Sequence, residues 1–206
     1  MLQINAVPGA TLDVLKTLMR QSWIKDFNLV GGTALALYWG HRVSVDIDFF
    51  TDKKVNLDDL EGKLNQVPGA MLVSKNPIGL IYSISETKCD FVNFPYPFFY
   101  PPQTDEGFPV AHIDDVVSLK LGALANRGAK KDFYDLYYIL QHYGLEQLIE
   151  LYRKKFSVAD VLPLLKSLVY FGDAEDELPP ALLKDKQLDW PQVKKFIEQK
   201  VHEQVR

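Results

Sequence analysis

The stretch Gly31–Phe50, GGTALALYWGHRVSVDIDFF, constrains this chain more than any other. Two glycines open a short apolar segment of helical character, and a hydrophobic strand candidate follows, carrying Asp46 and Asp48. Alternate side chains of a strand point the same way. Both carboxylates are therefore expected on one face, with Val45, Ile47 and Phe49 on the other. Two acids so close repel one another unless something positive sits between them, and hard oxygen ligands suit Mg²⁺, with Mn²⁺ as a substitute. The competing reading is a pair of solvated acids on an edge strand. Ile47, Phe49 and Phe50 argue against it, because they mark a buried strand in which unpaired acids are costly. Independently, a helix start at Gly31-Gly32 offers free backbone N–H groups to an anion. A metal site and a phosphate site on one strand–helix unit point to a nucleoside triphosphate.

Composition adds mainly exclusions. A formal net charge of −4 provides no overall basic field for nucleic acid, although it leaves room for a local groove. One cysteine, Cys89, cannot build a disulfide framework and fits a reducing compartment. No apolar run reaches the length of a membrane span, and the N-terminus lacks a secretory pattern, so a cytoplasmic location is expected.

Periodicity predicts helices over 11–25, 33–39 and 57–67 and strands over 27–30, 43–50, 70–74, 80–85 and 88–94. Thr11 is the expected cap of the first helix and Gly40 the C-cap of the second. From Pro95 to Pro109 five prolines require loop or extended chain. After them nearly everything reads as helix: 113–126, 131–142, 145–156, 158–171 and 190–205. The expectation is a mixed α/β core over residues 1–105 and a helical C-terminal domain over 106–206 that completes the cleft.

A third acid, Asp90, lies in the apolar run Lys88-Cys89-Asp90-Phe91-Val92, and its expected neighbour is the acidic strand. Three carboxylates can serve as metal ligands, or two can do so while Asp90 takes a proton from an attacking hydroxyl. Thr33, Arg42 and Ser44 stand beside the glycines and acids as candidate phosphate contacts, Ser44 sharing strand parity with the acids. In the later helices Lys120 and Arg127 are seven apart, hence expected on one face, with Gly122 and Ala123 permitting close approach of another element. Lys120 reads equally well as a phosphate contact or a solvated charge. Asp132 and Asp135 share a helix face near its N-terminus, where acids are also favoured by the dipole alone.

Gly31-Gly32, thirteen residues, then Asp46-Ile47-Asp48-Phe49, with Asp90 as the later strand acid, resembles the signature of the DNA polymerase β-type nucleotidyltransferase superfamily. More narrowly, GGTALALYWGHRVSVDIDFF followed by DDVVSLKLGALANRGAKKDFYDLYYIL is similar to the AbiEii/AbiGii toxin-like family of abortive infection and toxin–antitoxin systems. The resemblance covers about residues 28–142. It implies an α+β fold, a nucleotidyltransferase-type mixed sheet flanked by helices and followed by a helical C-terminal portion. It also implies Mg²⁺-dependent transfer of a nucleoside monophosphate from an NTP to an acceptor such as tRNA or protein, and a cognate antitoxin. Under it, Lys120 and Asp132 match catalytically important positions, and Arg127 and Asp135 match further motif positions. Lys131 stands where the family usually has arginine, keeping charge but losing planar bidentate contact. Gly31, Gly32 and Thr33 are then expected to receive the β- and γ-phosphates. Two rivals are an antibiotic-type small-molecule nucleotidyltransferase and a non-catalytic nucleotide-binding module of the same fold.

Overall fold

A computed structural model describes residues 1–105 and 107–204, and the chain divides into two compact units, Met1–His112 and Ile113–Arg206. In the first unit, α1 (Gly9–Met19) leads to β1 (Asn28–Val30), α2 (Gly31–Trp39), β2 (Ile47–Thr51) and α3 (Leu57–Leu64). Then come β3 (Ala70–Asn76), β4 (Gly79–Ile84), β5 (Thr87–Asn93), β6 (Gln103–Asp105) and β7 (Phe108–Val110). The seven strands form one mixed sheet in the order β3-β4-β5-β2-β1-β7-β6. β3, β4 and β5 are an antiparallel meander, whereas β2 runs parallel to β5 and antiparallel to β1.

The β2–β5 pairing organises the unit, because its register sets like with like. Phe49 lies opposite Phe91, and their rings stack 5.7 Å apart, with Phe27 edge-on to Phe91 at 5.9 Å. These side chains are fully buried and build the aromatic core on one face. One residue back along each strand, Asp48 lies opposite Asp90, and pleat alternation sends both to the other face.

The acidic strand is shorter than periodicity predicts, beginning at Ile47 rather than Val43. The preceding polar groups are bound elsewhere: Ser44 N–H donates to the Ala6 carbonyl, Thr11 Oγ1 to the Val45 carbonyl and Thr33 Oγ1 to the Asp46 carbonyl. Outside the ladder, Val45 is exposed instead of joining Ile47 and Phe49 in the core. Thr11 is likewise no cap: it is the third residue of α1 and a buried tether to the Val45 segment. α1 also stops at Met19, and a 3₁₀ turn, Ser22–Asp26, replaces the predicted continuation. Gly40 does close α2 as expected, in the left-handed region at φ +60°. The β4–β5 hairpin turns on Ser85 and Glu86, both at positive φ, the requirement of a two-residue connection that matches strand twist. In the proline-rich stretch, β6 and β7 pair as a short hairpin with Pro109 inside β7.

The second unit is helical: α4 (Ile113–Asn126), α5 (Lys130–His142), α6 (Leu145–Phe156), α7 (Leu162–Leu168) and α8 (Trp190–Gln204). α7 is half the predicted span because Pro163 sits in its first turn, where its missing N–H is harmless and its fixed φ starts a helix rather than continuing one. The predicted end of the last helix, Val205, lies outside the described residues. Gly122 gives α4 its close approach to α6, since a Cβ there would fall 2.5 Å from the Phe156 ring. Phe133, Phe171 and Trp190 form the aromatic centre, with centroids 5.0–5.7 Å apart. Among the described residues no helix is long and apolar enough to cross a membrane.

Candidate active site

The site in the first unit is built from the β2–β5 register outward. Asp48 and Asp90 are cross-strand partners, and Asp46 precedes β2 by one residue on the same approach. Asp90 is divided between two environments. Its Oδ2 accepts from Lys88 Nζ at 2.7 Å, while its Oδ1 is buried and has no hydrogen-bond partner among the described residues. All three carboxylates act on their surroundings together. Burial pushes the Cys89 thiol up to about 12, and the negative charges of Asp90, Asp48 and Asp46 add to that rise. Lys88 was not singled out from the sequence, although its position two residues before Asp90 places it on the acid face by parity alone.

The two glycines are explained by what stands against them. Gly31 opens α2 at φ +70°, and a Cβ on it would fall 2.0 Å from Asp48 Oδ2. A Cβ on Gly32 would fall 2.4 Å from Arg42 Nη2. Backbone thus lies directly against a carboxylate at one residue and a guanidinium at the next, at a helix start with N–H groups to offer. The neighbouring side chains are largely engaged within the fold. Thr33 is fully buried, and its Oγ1 lies 2.9 Å from Ser44 Oγ while donating to the Asp46 carbonyl. A hydroxyl has one hydrogen, so Ser44 is the donor of that pair. Arg42 is buried and donates from Nη1 to the Val43 carbonyl at 3.1 Å. Thr33 and Ser44 therefore brace the acidic segment with hydroxyls expected to meet phosphate.

In the second unit, Lys120 is not a solvated charge. Its Nζ lies 2.7 Å from Asp132 Oδ1 and 2.8 Å from Asp135 Oδ2, and all three side chains are buried. The i,i+3 pair on α5 thus grips a lysine from α4, and Asp132 Oδ2 is left buried with no hydrogen-bond partner among the described residues. Arg127 directly follows α4, its N–H donating to the Ala123 carbonyl at 2.8 Å, and it is exposed, as is Lys131. A second buried pair, Lys155 with Asp115 at 2.5 Å, was invisible in the sequence, where Lys155 is one cation in the run Arg153-Lys154-Lys155.

As they stand, no three His, Cys, Asp or Glu side chains among the described residues are gathered at metal-ligating spacing. The oxygens present are nevertheless of the hard type that a divalent cation takes. They are carboxylate oxygens on paired strands, one Asp90 oxygen being buried with no hydrogen-bond partner among the described residues, and a glycine leaves Asp48 room.

A mixed sheet carrying paired acids beside a Gly-Gly helix start has the fold of a nucleotidyltransferase. Solved structures share it: MenT4, a nucleotidyltransferase toxin of Mycobacterium tuberculosis H37Rv, aligns with a TM-score of 0.58 at 15% identity over 93% of this chain and 81% of that one. A candidate nucleotidyltransferase of Helicobacter pylori aligns with a TM-score of 0.54 at 20% identity, over 94% and 90%. The family model described as nucleotidyl transferase AbiEii toxin, type IV TA system, matches residues 13–107 and 83–204, and the chain belongs to that family. An uncharacterized protein of Aquifex aeolicus (strain VF5), aq_aa25, is 35% identical over 184 residues, 86% of this chain and 87% of that protein.

The glycine geometry gives a direct prediction. Gly31→Ala places a side chain at positive φ, at a cost of about 1–2 kcal/mol, and drives the Asp48 carboxylate from its position. Thermal melting should fall by about 2–8 °C. An unchanged melting temperature would show that the Gly31–Asp48 contact is not tight.

Proposed function

We propose that this protein transfers a nucleoside monophosphate from an NTP to an acceptor, an RNA such as tRNA, and that the reaction needs Mg²⁺. The observation that carries the reading is the Asp48–Asp90 pairing across β2 and β5, with Gly31 backbone packed against Asp48. Asp46 and Asp48 would hold the cation, and Asp90 supplies a further oxygen or takes the acceptor's proton. When bound, Mg²⁺ supplies Lewis-acid stabilisation of the phosphoryl oxygens. The N–H groups of Gly31, Gly32 and Thr33 at the start of α2 receive the β- and γ-phosphates. Arg42, held against Gly32, adds positive charge there.

In the reaction the acceptor hydroxyl oxygen bonds to the α-phosphorus as the bond to the β-phosphate breaks. Pyrophosphate leaves and a carboxylate accepts the hydroxyl proton. Exposed Arg127 and Lys131 supply cations suited to an RNA backbone, and Lys120, with Asp132 and Asp135, ties α4 to α5 beside them. As a member of a type IV toxin–antitoxin family, the protein is read as a toxin countered by a cognate antitoxin.

The test is incubation with Mg²⁺, total cellular RNA and each α-labelled NTP in turn. Label should enter RNA with the parent protein and not with Asp46→Ala. If neither RNA nor protein is labelled with any NTP, the reading fails.

A further inference from the structure

Lys88 is a charged side chain in the candidate site that no part of the reaction above uses. It lies on the acid face of β5, two residues before Asp90, and its Nζ donates to Asp90 Oδ2 at 2.7 Å. We propose that Lys88 is a built-in counter-cation of the acid cluster, competing with the divalent cation and so setting the concentration at which that cation binds. The inference rests on the reading of Asp46, Asp48 and Asp90 as cation ligands.

Three observations support it. The first is position: Lys88 touches Asp90 directly, and Asp90 is the cross-strand partner of Asp48. The second is that the pair is not locked. The Lys88 side chain is 49% exposed against 20% for Asp90, unlike the Lys120 triad and the Lys155–Asp115 pair, whose members are all at or below 6%. An ion pair that open is weak and screened, and a four-carbon stem lets the ammonium move into solvent without disturbing β5. The third is the division of labour on Asp90. One oxygen is held by Lys88, while the other is buried without a partner among the described residues. The carboxylate is thus half neutralised, so an incoming cation meets an acid with its charge already partly answered.

The experiment uses the full chain without nucleotide. Mn²⁺ binding is followed by electron paramagnetic resonance and Mg²⁺ binding by calorimetry, in the parent, Lys88→Met and Lys88→Arg. Lys88→Met should bind either cation about fivefold more tightly, and Lys88→Arg should bind like the parent. Melting in EDTA gives a second readout. Lys88→Met should melt below the parent, because Asp90 loses its lysine while facing Asp48 across the register, and should recover when Mg²⁺ is added. Equal or weaker binding by Lys88→Met, tightening by Lys88→Arg to the same degree, or a Lys88→Met melt in EDTA equal to the parent's would each overturn the role of Lys88. In those cases parent binding still stands. If no form, parent included, binds either cation at millimolar concentration, the metal reading of the acids fails and the inference with it.

Discussion

Lys155→Met should cost about 3–5 kcal/mol of stability, enough to melt the protein roughly 6–20 °C early. Lys155 and Asp115 join α6 to α4 with both side chains at 0% exposure and 2.5 Å between Nζ and Oδ1. Removing the lysine takes this cation from a fully buried carboxylate, and the cost of keeping that charge buried, rather than the lost attraction, sets the size of the effect. The same reasoning gives the control. Asp115→Leu together with Lys155→Met removes both charges and should recover most of the loss, because a buried ion pair contributes little net stability over apolar side chains that fill the space. Chemical denaturation followed by fluorescence and by circular dichroism measures both variants. The two probes are needed because the second unit can lose structure separately from the first. A single variant as stable as the parent would show that Asp115 finds other compensation.

Asp48→Asn is expected to do the reverse, sparing the fold and removing the chemistry. Asparagine has the shape of aspartate, so it keeps the packing against Gly31, and it relieves repulsion with Asp90 across the β2–β5 register. Stability should therefore stay within about 1 kcal/mol of the parent or rise. Label transfer from α-labelled NTP should fall on the order of 10³-fold, the scale of losing one preorganised charge. Parallel melts and transfer assays separate the two effects. Undiminished transfer by a folded Asp48→Asn protein would remove Asp48 from the chemistry.

What was legible in the sequence follows what local pattern can carry. The Asp-Ile-Asp-Phe alternation correctly turned Asp48 away from Phe49, and matching hydrophobicity correctly brought Asp90 beside it. Alternation failed at Val45, because tethers from Ala6, Thr11 and Thr33 hold that segment out of the sheet. Those partners are distant in sequence and leave no periodic trace. Lys88 was readable by parity but hidden beside a more obvious acid. Lys120 shows the deeper limit. Its sequence left phosphate contact and solvated charge equally open, because only the packing of α4 against α5 determines that its partners are Asp132 and Asp135. For Lys155 the sequence held no signal, since a buried lysine and two solvated basic neighbours look alike in a run of three.

The parallel pairing of β2 with β5 also bears on the order of folding. Strands β3, β4 and β5 assemble through short antiparallel turns, but β2 reaches β5 only across the intervening α3, β3 and β4. Closing so long a loop costs entropy before any contact repays it, so such pairings form late. Asp48 and Asp90 therefore become neighbours only when the sheet is nearly complete. A nascent chain still lacking Thr87–Asn93 can pair β2 only with β1, and carries Asp46 and Asp48 without Asp90 beside them.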